Sequence, residues 1–217
     1  MSFLFYLSIF YLLGIVLWVT RKYDLFTISL IFGISAVFLG FGGLSSFLYL
    51  IFFFAVAEGI TSILNKKHGK RSYVNLLGNC LAGSALIAFG QIYAGLASIS
   101  AAFCDTASSE IGRLSKKKPR LITNFKKVNT GVNGGITVLG FLGAFLVSII
   151  TFIYFYYLFD INIKIAIIIS AIGLLGTIID SYIGALWENK GYIDNAQTNF
   201  LATAISGIIA IIILAVI

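Results

Sequence analysis

Four carboxylates interrupt apolar runs of this chain: Glu58, Asp105, Glu110 and Asp180. A charged side chain at the centre of a bilayer costs about 2.5–3.5 kcal/mol on insertion scales, so each must be wetted at a helix end, paired, or functional. Glu58 lacks a cluster of polar partners, and a structural and a functional role read equally well for it. Asp105 stands in CDTASSEIGR with Thr106, Ser108, Ser109 and Glu110 around it. On a helix, residues 105, 106, 109, 110 and 113 form one polar stripe. Asp105 and Glu110 are roughly 140° apart around that helix, too far to grip one small ion without another ligand. Asp180, in GTIIDSYIGALWE with Ser181 beside it, supplies the best further candidate. Hard oxygen ligands of this kind suit Mg²⁺ bridging phosphates rather than zinc. The expected catalytic and metal-holding set is Asp105, Glu110 and Asp180, with Thr106, Ser109 and Ser181 as polar lining.

The same stretch carries cations and glycines. Arg113, Lys116, Lys117, Lys118, Arg120, Lys126 and Lys127 form a basic loop, and Thr130-Gly131-Val132-Asn133-Gly134-Gly135 then opens another apolar run. Glycines in succession let backbone N–H groups converge, and a helix N-terminus adds partial positive charge, which suits a phosphate. TGVNGG has no Gly-Lys-Ser/Thr ending, so it is not a Walker A loop, and by itself a plain turn reads equally well. A second basic loop leads through Lys70 and Arg71 to Asn79. It reads either as a topology signal or as a clamp on nucleotide phosphates. Arg113, Lys126, Lys127, Asn133, Gly134 and Gly135 complete the expected phosphate-binding set. The single histidine, His68, lies in a loop, so no span carries a histidine base for nucleophilic hydrolysis. Cys80 and Cys104 lie in apolar runs and indicate neither a disulfide framework nor a zinc site.

The elements that must position these residues are membrane spans. The 217 residues are 59% hydrophobic and 11% charged, more apolar surface than a soluble domain can hide. Long continuous apolar runs exclude an alternating β-barrel pattern. The expectation is an all-α, polytopic transmembrane helical bundle with about eight spans, near 2–20, 25–40, 44–64, 75–90, 93–112, 136–159, 163–187 and 197–217. The first is read as a retained span, since it lacks a basic n-region and a cleavage site. Residues 1–217 read as a single membrane domain. With both termini outside, the inner loops at about 65–75, 113–133 and 188–196, with 21–24, hold every Lys and Arg except Lys164. That asymmetry predicts a cytoplasmic face for them, in a prokaryotic plasma membrane. It also accounts for the net charge of +7 without nucleic acid.

Taken in order, CDTASSEIG, PRLIT, GVNGGITVLG and DSYIGA, with Lys70, Arg71 and Asn79 upstream, resemble the phytyl-phosphate kinase family and its transmembrane protein 19 relatives. The resemblance covers about residues 65–190. It implies a membrane enzyme that moves a phosphate from a nucleoside triphosphate, CTP being expected, to an isoprenyl monophosphate of phytyl or geranylgeranyl type. Mg²⁺ is the implied cofactor. Partners would be the isoprenyl monophosphate, CTP or another NTP, and the lipid bilayer; a homodimer is allowed. Departures fall at Cys104, Ala107, Asn129 and Val132, and none removes a carboxylate or a key glycine. A lipid-phosphate nucleotidyltransferase and a transporter for a small anion or lipid are the alternatives.

Overall fold

A computed structural model describes residues 23–64 and 73–216. Helix α1 (Leu25–Leu64) begins where Asp24 Oδ1 accepts the Thr27 amide at 2.7 Å, satisfying a donor of the first turn. It is broken at Gly43, whose φ of 78° and ψ of 178° leave the helix, a conformation that costs glycine little. The Tyr23 hydroxyl donates to Glu58 at 3.4 Å. A straight helix would hold these residues about 50 Å apart, so the two limbs fold back on one another at Gly43.

Helix α2 (Tyr73–Ala88) turns at Gly90 into α3 (Ile92–Gly112). Helix α4 (Val138–Ile153) is capped by Thr137, whose side chain accepts the Gly140 amide at 3.0 Å, and runs on through a π turn at Tyr154–Leu158. Helix α5 (Ile163–Leu186) ends in a 3₁₀ turn, Glu188–Lys190. Helix α6 (Asn195–Leu214) starts in a reciprocal capping box between Asp194 and Gln197. The basic loop is not irregular. Strand β1 (Arg120–Leu121) pairs antiparallel with β2 (Gly135–Ile136), opposing Arg120 to Ile136 and Leu121 to Gly135.

Helix α3 is the centre and packs against each of the other five helices. Its small residues allow this. Gly95, Ala97, Ser98, Ser100, Ala101 and Ala102 are all buried, so neighbouring backbones approach closely. A β-carbon at Gly173 of α5 would collide with Ser100, and one at Gly176 with Ala101. These contacts run in the same sense along both chains, so α3 and α5 are parallel and α4 returns between them. Gly112 at the end of α3 meets Gly140 at the start of α4, and Gly78 of α2 meets Ala196 of α6. One end of the bundle therefore gathers the 113–137 hairpin, the 188–194 turn and the starts of α2, α4 and α6. Outward residues of α4, including Val138, Leu142 and Leu146, are large, apolar and exposed, while Gly140, Gly143, Ala144 and Val147 face inward. Such a surface suits hydrocarbon.

Four described helices are long and apolar enough to cross a bilayer: Leu25–Ile63, Val138–Leu158, Ile163–Lys190 and Asn195–Leu214; Tyr73–Ala88 is apolar but shorter. This gives four to five candidate spans and corrects the expected eight. The physical reasons are local. The expected spans 25–40 and 44–64 count here as the one apolar element Leu25–Ile63, although its limbs fold back at Gly43, and the expected span 93–112 is a polar-lined helix at the centre of the bundle that is not among the helices long and apolar enough to qualify. The expected span 2–20 lies outside the described residues.

A candidate phosphate site at the bundle end

The parallel crossing of α3 and α5 brings Asp105 and Asp180 together. Each is about one helical turn beyond the tight contact between Ala101 and Gly176, so close packing there sets the carboxylates against one another. They repel each other electrostatically, and both are also repelled by Glu188. Glu188 is fixed by the Thr198 hydroxyl, which donates to its Oε2 at 2.9 Å. With its amide nitrogen turned to the acceptors, Asn199 donates to Asp180 Oδ2 and to the Asn195 carbonyl, each at 3.2 Å. The other end of that amide lies 3.2 Å from the Asn79 side chain. Asn79 on α2 thus reaches Asp180 through α6.

A cavity of about 160 Å³ opens over these acids. Its lining includes Asp105, Ser109 and Arg113 of α3, Asp180 and Ser181 of α5, Glu188, Asn195, and the turn from Thr130 to Thr137. The turn is docked by Gly134. With φ at +74°, that residue lies so close to α5 that a β-carbon would stand 2.5 Å from the Ser181 carbonyl and from Ala185 Cβ. Asn189 donates to the Asn133 carbonyl at 2.7 Å and ties the turn to the 3₁₀ segment. Gly135 spends its amide on the Val132 carbonyl at 3.0 Å. The amides of Asn133 and Gly134 have no acceptor among the described residues. A cationic side chain, a glycine turn and a capped helix start therefore line one opening together with a group of carboxylates. An anion and a hard cation held together would balance those charges.

Of the expected residues, the structure brings Asp105, Ser109, Arg113, Asn133, Gly134, Gly135, Asp180 and Ser181 to one cavity, with Asn79 joined behind them. Glu110 is placed elsewhere. It is 8% exposed, accepts from Thr61 at 3.4 Å and pairs with Arg113 Nη1 at 3.3 Å. The angular separation between Asp105 and Glu110 decides this, because the helix face that carries Asp105 to α5 turns Glu110 towards α1. No group of three His, Cys, Asp or Glu among the described residues could hold a metal ion. Of the expected set of Asp105, Glu110 and Asp180, Asp105 and Asp180 line the cavity and Glu110 does not. Two facing carboxylates still fit Mg²⁺, which commonly takes one or two carboxylates and completes its shell with phosphate and water.

Thr106 turns its hydroxyl back to the Ala102 carbonyl at 2.8 Å and does not line the cavity. Lys126 and Lys127 are exposed on the hairpin, away from it. Lys70 and Arg71 lie outside the described residues. Sequence reasoning missed Glu188, Asn195 and Asn199. Glu188 follows its span directly and reads as an ordinary solvated loop acid; the available signal was its place eight residues after Asp180, at the same end of the bundle.

A family model described as integral membrane protein DUF92 matches residues 8–207. An uncharacterized membrane protein of Methanocaldococcus jannaschii is 39% identical over 194 residues, covering 82% of this chain and 79% of the relative. An uncharacterized membrane protein of Synechocystis is 28% identical over 190 residues, covering 78% and 74%. Protein PGR of Arabidopsis thaliana is 43% identical over 100 residues, 41% of this chain and 34% of that protein. No solved structure matches. The match spans the cavity and every described helix that builds it, and the chain belongs to the DUF92 family of integral membrane proteins.

Proposed function

We propose that this membrane protein transfers a phosphoryl group from a nucleoside triphosphate, CTP by preference, to an isoprenyl monophosphate of phytyl or geranylgeranyl type. The observation that carries the reading is the cavity at the bundle end, where Asp105 and Asp180 face the Gly134 turn and Arg113. The ordered resemblance of CDTASSEIG, PRLIT, GVNGGITVLG and DSYIGA to the phytyl-phosphate kinase family supports it further.

The acceptor arrives already ionised, so the step needs no strong base. Positioning and charge neutralisation supply the catalysis. Asp105 and Asp180 would hold Mg²⁺, with Glu188 lining the same cavity. When bound, the ion neutralises charge on the donor phosphates. Arg113 and the Asn133 and Gly134 amides orient the transferred group. Asn199 holds one oxygen of Asp180. The isoprenyl tail lies among the apolar helices, and the basic loops face the cytoplasm of a prokaryotic plasma membrane.

The test is direct. Purified protein is incubated with phytyl or geranylgeranyl monophosphate and each of the four NTPs, with and without Mg²⁺. Isoprenyl diphosphate and a nucleoside diphosphate should form in equal amounts. Pyrophosphate release would indicate nucleotidyl transfer instead. No Mg²⁺-dependent lipid product with any NTP would remove the kinase reading.

A further inference from the structure

The hairpin beside the cavity carries a feature the proposed reaction does not use. Phe125 is 60% exposed and has a φ of +55°. A bulky residue in the left-handed region is an outlier that glycine or asparagine would occupy at lower cost. The turn enforces it. The Phe125 amide donates to Leu121 at 2.8 Å, and Arg120 Nη1 donates to the Phe125 carbonyl at 2.8 Å. Leu121 in turn donates to the Lys126 carbonyl at 2.9 Å, and Asn124 Oδ1 accepts the Lys126 amide at 3.0 Å. These bonds direct the ring outward while Ile122, at 6% exposure, points in. Arg120, Lys126 and Lys127 are exposed around it.

The depth of this tip follows from its anchorage. The Ile122 amide donates to the Gly134 carbonyl at 2.9 Å, and Gly134 is pressed against Ser181 and Ala185. Both belong to the candidate span Ile163–Lys190. The hairpin therefore lies beside the last turns of a membrane helix, not beyond its end. Phe125 is three residues from Ile122, within about 10 Å along the chain. The last turns of a spanning helix lie near the boundary between hydrocarbon and headgroups, and a reach of that size suffices to meet it. Aromatic rings concentrate at that level, and clustered Lys and Arg there attract anionic headgroups.

We infer that the Phe125 tip is an interfacial anchor, its ring entering the edge of the bilayer and Arg120, Lys126 and Lys127 contacting the headgroups of anionic lipids. This assigns the two lysines to lipid phosphate rather than to a nucleotide. It rests on membrane residence and hairpin geometry and is independent of the reaction.

Cys80 and Cys104 are buried, so an introduced cysteine can be labelled selectively. The full chain carrying Phe125→Cys is labelled with a polarity-sensitive fluorophore and placed in nanodiscs of phosphatidylcholine with or without phosphatidylglycerol. Lys117→Cys serves as the reference site. At position 125, blue-shifted emission and quenching by acyl-brominated lipid are expected, severalfold stronger than at 117 and greater with phosphatidylglycerol. The gain from anionic lipid should vanish in Lys126→Glu/Lys127→Glu. If Phe125→Cys does not fold, a label at Thr123→Cys, in the same exposed turn, carries the same test. Water-like emission in both lipids would overturn the anchor. So would equal quenching at both sites, or indifference to lipid charge. A label that responds to CTP with Mg²⁺ but not to lipid would overturn it too and return the lysines to nucleotide binding.

Discussion

Arg113 Nη1 lies 3.3 Å from each carboxylate oxygen of Glu110. The pair uses Glu110 to steady a cation at the cavity rather than to hold a metal. Its effect is limited, because the Arg113 side chain is half exposed and such pairs contribute about 0–1 kcal/mol. Glu110→Gln should therefore lower kcat/KM by about fivefold or less, mostly through KM for the nucleotide. Steady-state kinetics with varied CTP check this. A large loss in kcat with unchanged nucleotide KM would contradict the pairing role.

Asp105→Asn and Asp180→Asn should behave differently. Each amide keeps side-chain volume but removes negative charge from the facing pair. We expect turnover to fall by about 100-fold or more, the usual scale for removing one charge-stabilising group from an active site. Size-exclusion profiles in detergent should be unchanged. Wild-type rates in both variants would place the chemistry elsewhere.

Glu188→Gln should raise the Mg²⁺ concentration needed for half-maximal rate, since it removes negative charge from the cavity that Asp105 and Asp180 line. Thr198→Val should shift the same midpoint less, because it only frees the Glu188 carboxylate. Titration of activity against Mg²⁺ reads both. Identical midpoints in all three proteins would exclude Glu188 from the site.

Gly134→Ala should cost about 2–4 kcal/mol, combining left-handed strain with overlap against Ala185 and the Ser181 carbonyl. Gly131→Ala shares a positive φ, at +94°, but meets nothing within 4 Å. It should cost only about 1–2 kcal/mol. Thermal unfolding in detergent separates them. Equal losses would show that docking of the turn on α5 adds no constraint.

Free isoprenols should be poor acceptors. An alcohol must lose a proton as it attacks, and no described histidine is present to take it. Product analysis with geranylgeraniol beside its monophosphate checks this. Comparable turnover of the alcohol would identify one of the acids as a base.

The sequence by itself determined the class and much of the site. Continuous apolar runs can only be helices in lipid, where every backbone group must be satisfied internally, so the helical membrane bundle was legible from composition. Carboxylates in such runs are costly enough to stand out, which is how Asp105 and Asp180 could be named. The glycine turn beside α5 was visible as TGVNGG. What only the tertiary structure decided was which faces meet. Hydropathy could not show that α3 sits at the centre of the bundle, packed against every other described helix. The angle around α3 sends Asp105 to α5 and Glu110 to α1, a choice made by packing at Gly173 and Gly176. Glu188 and Asn199 joined the site through the parallel course of α3 and α5 and the return of α6. Those relations span up to 120 residues of sequence, from Asn79 to Asn199, and no local pattern encodes them. Lys126 and Lys127 do not line the cavity and are exposed on a hairpin that the sequence showed only as a run of charge.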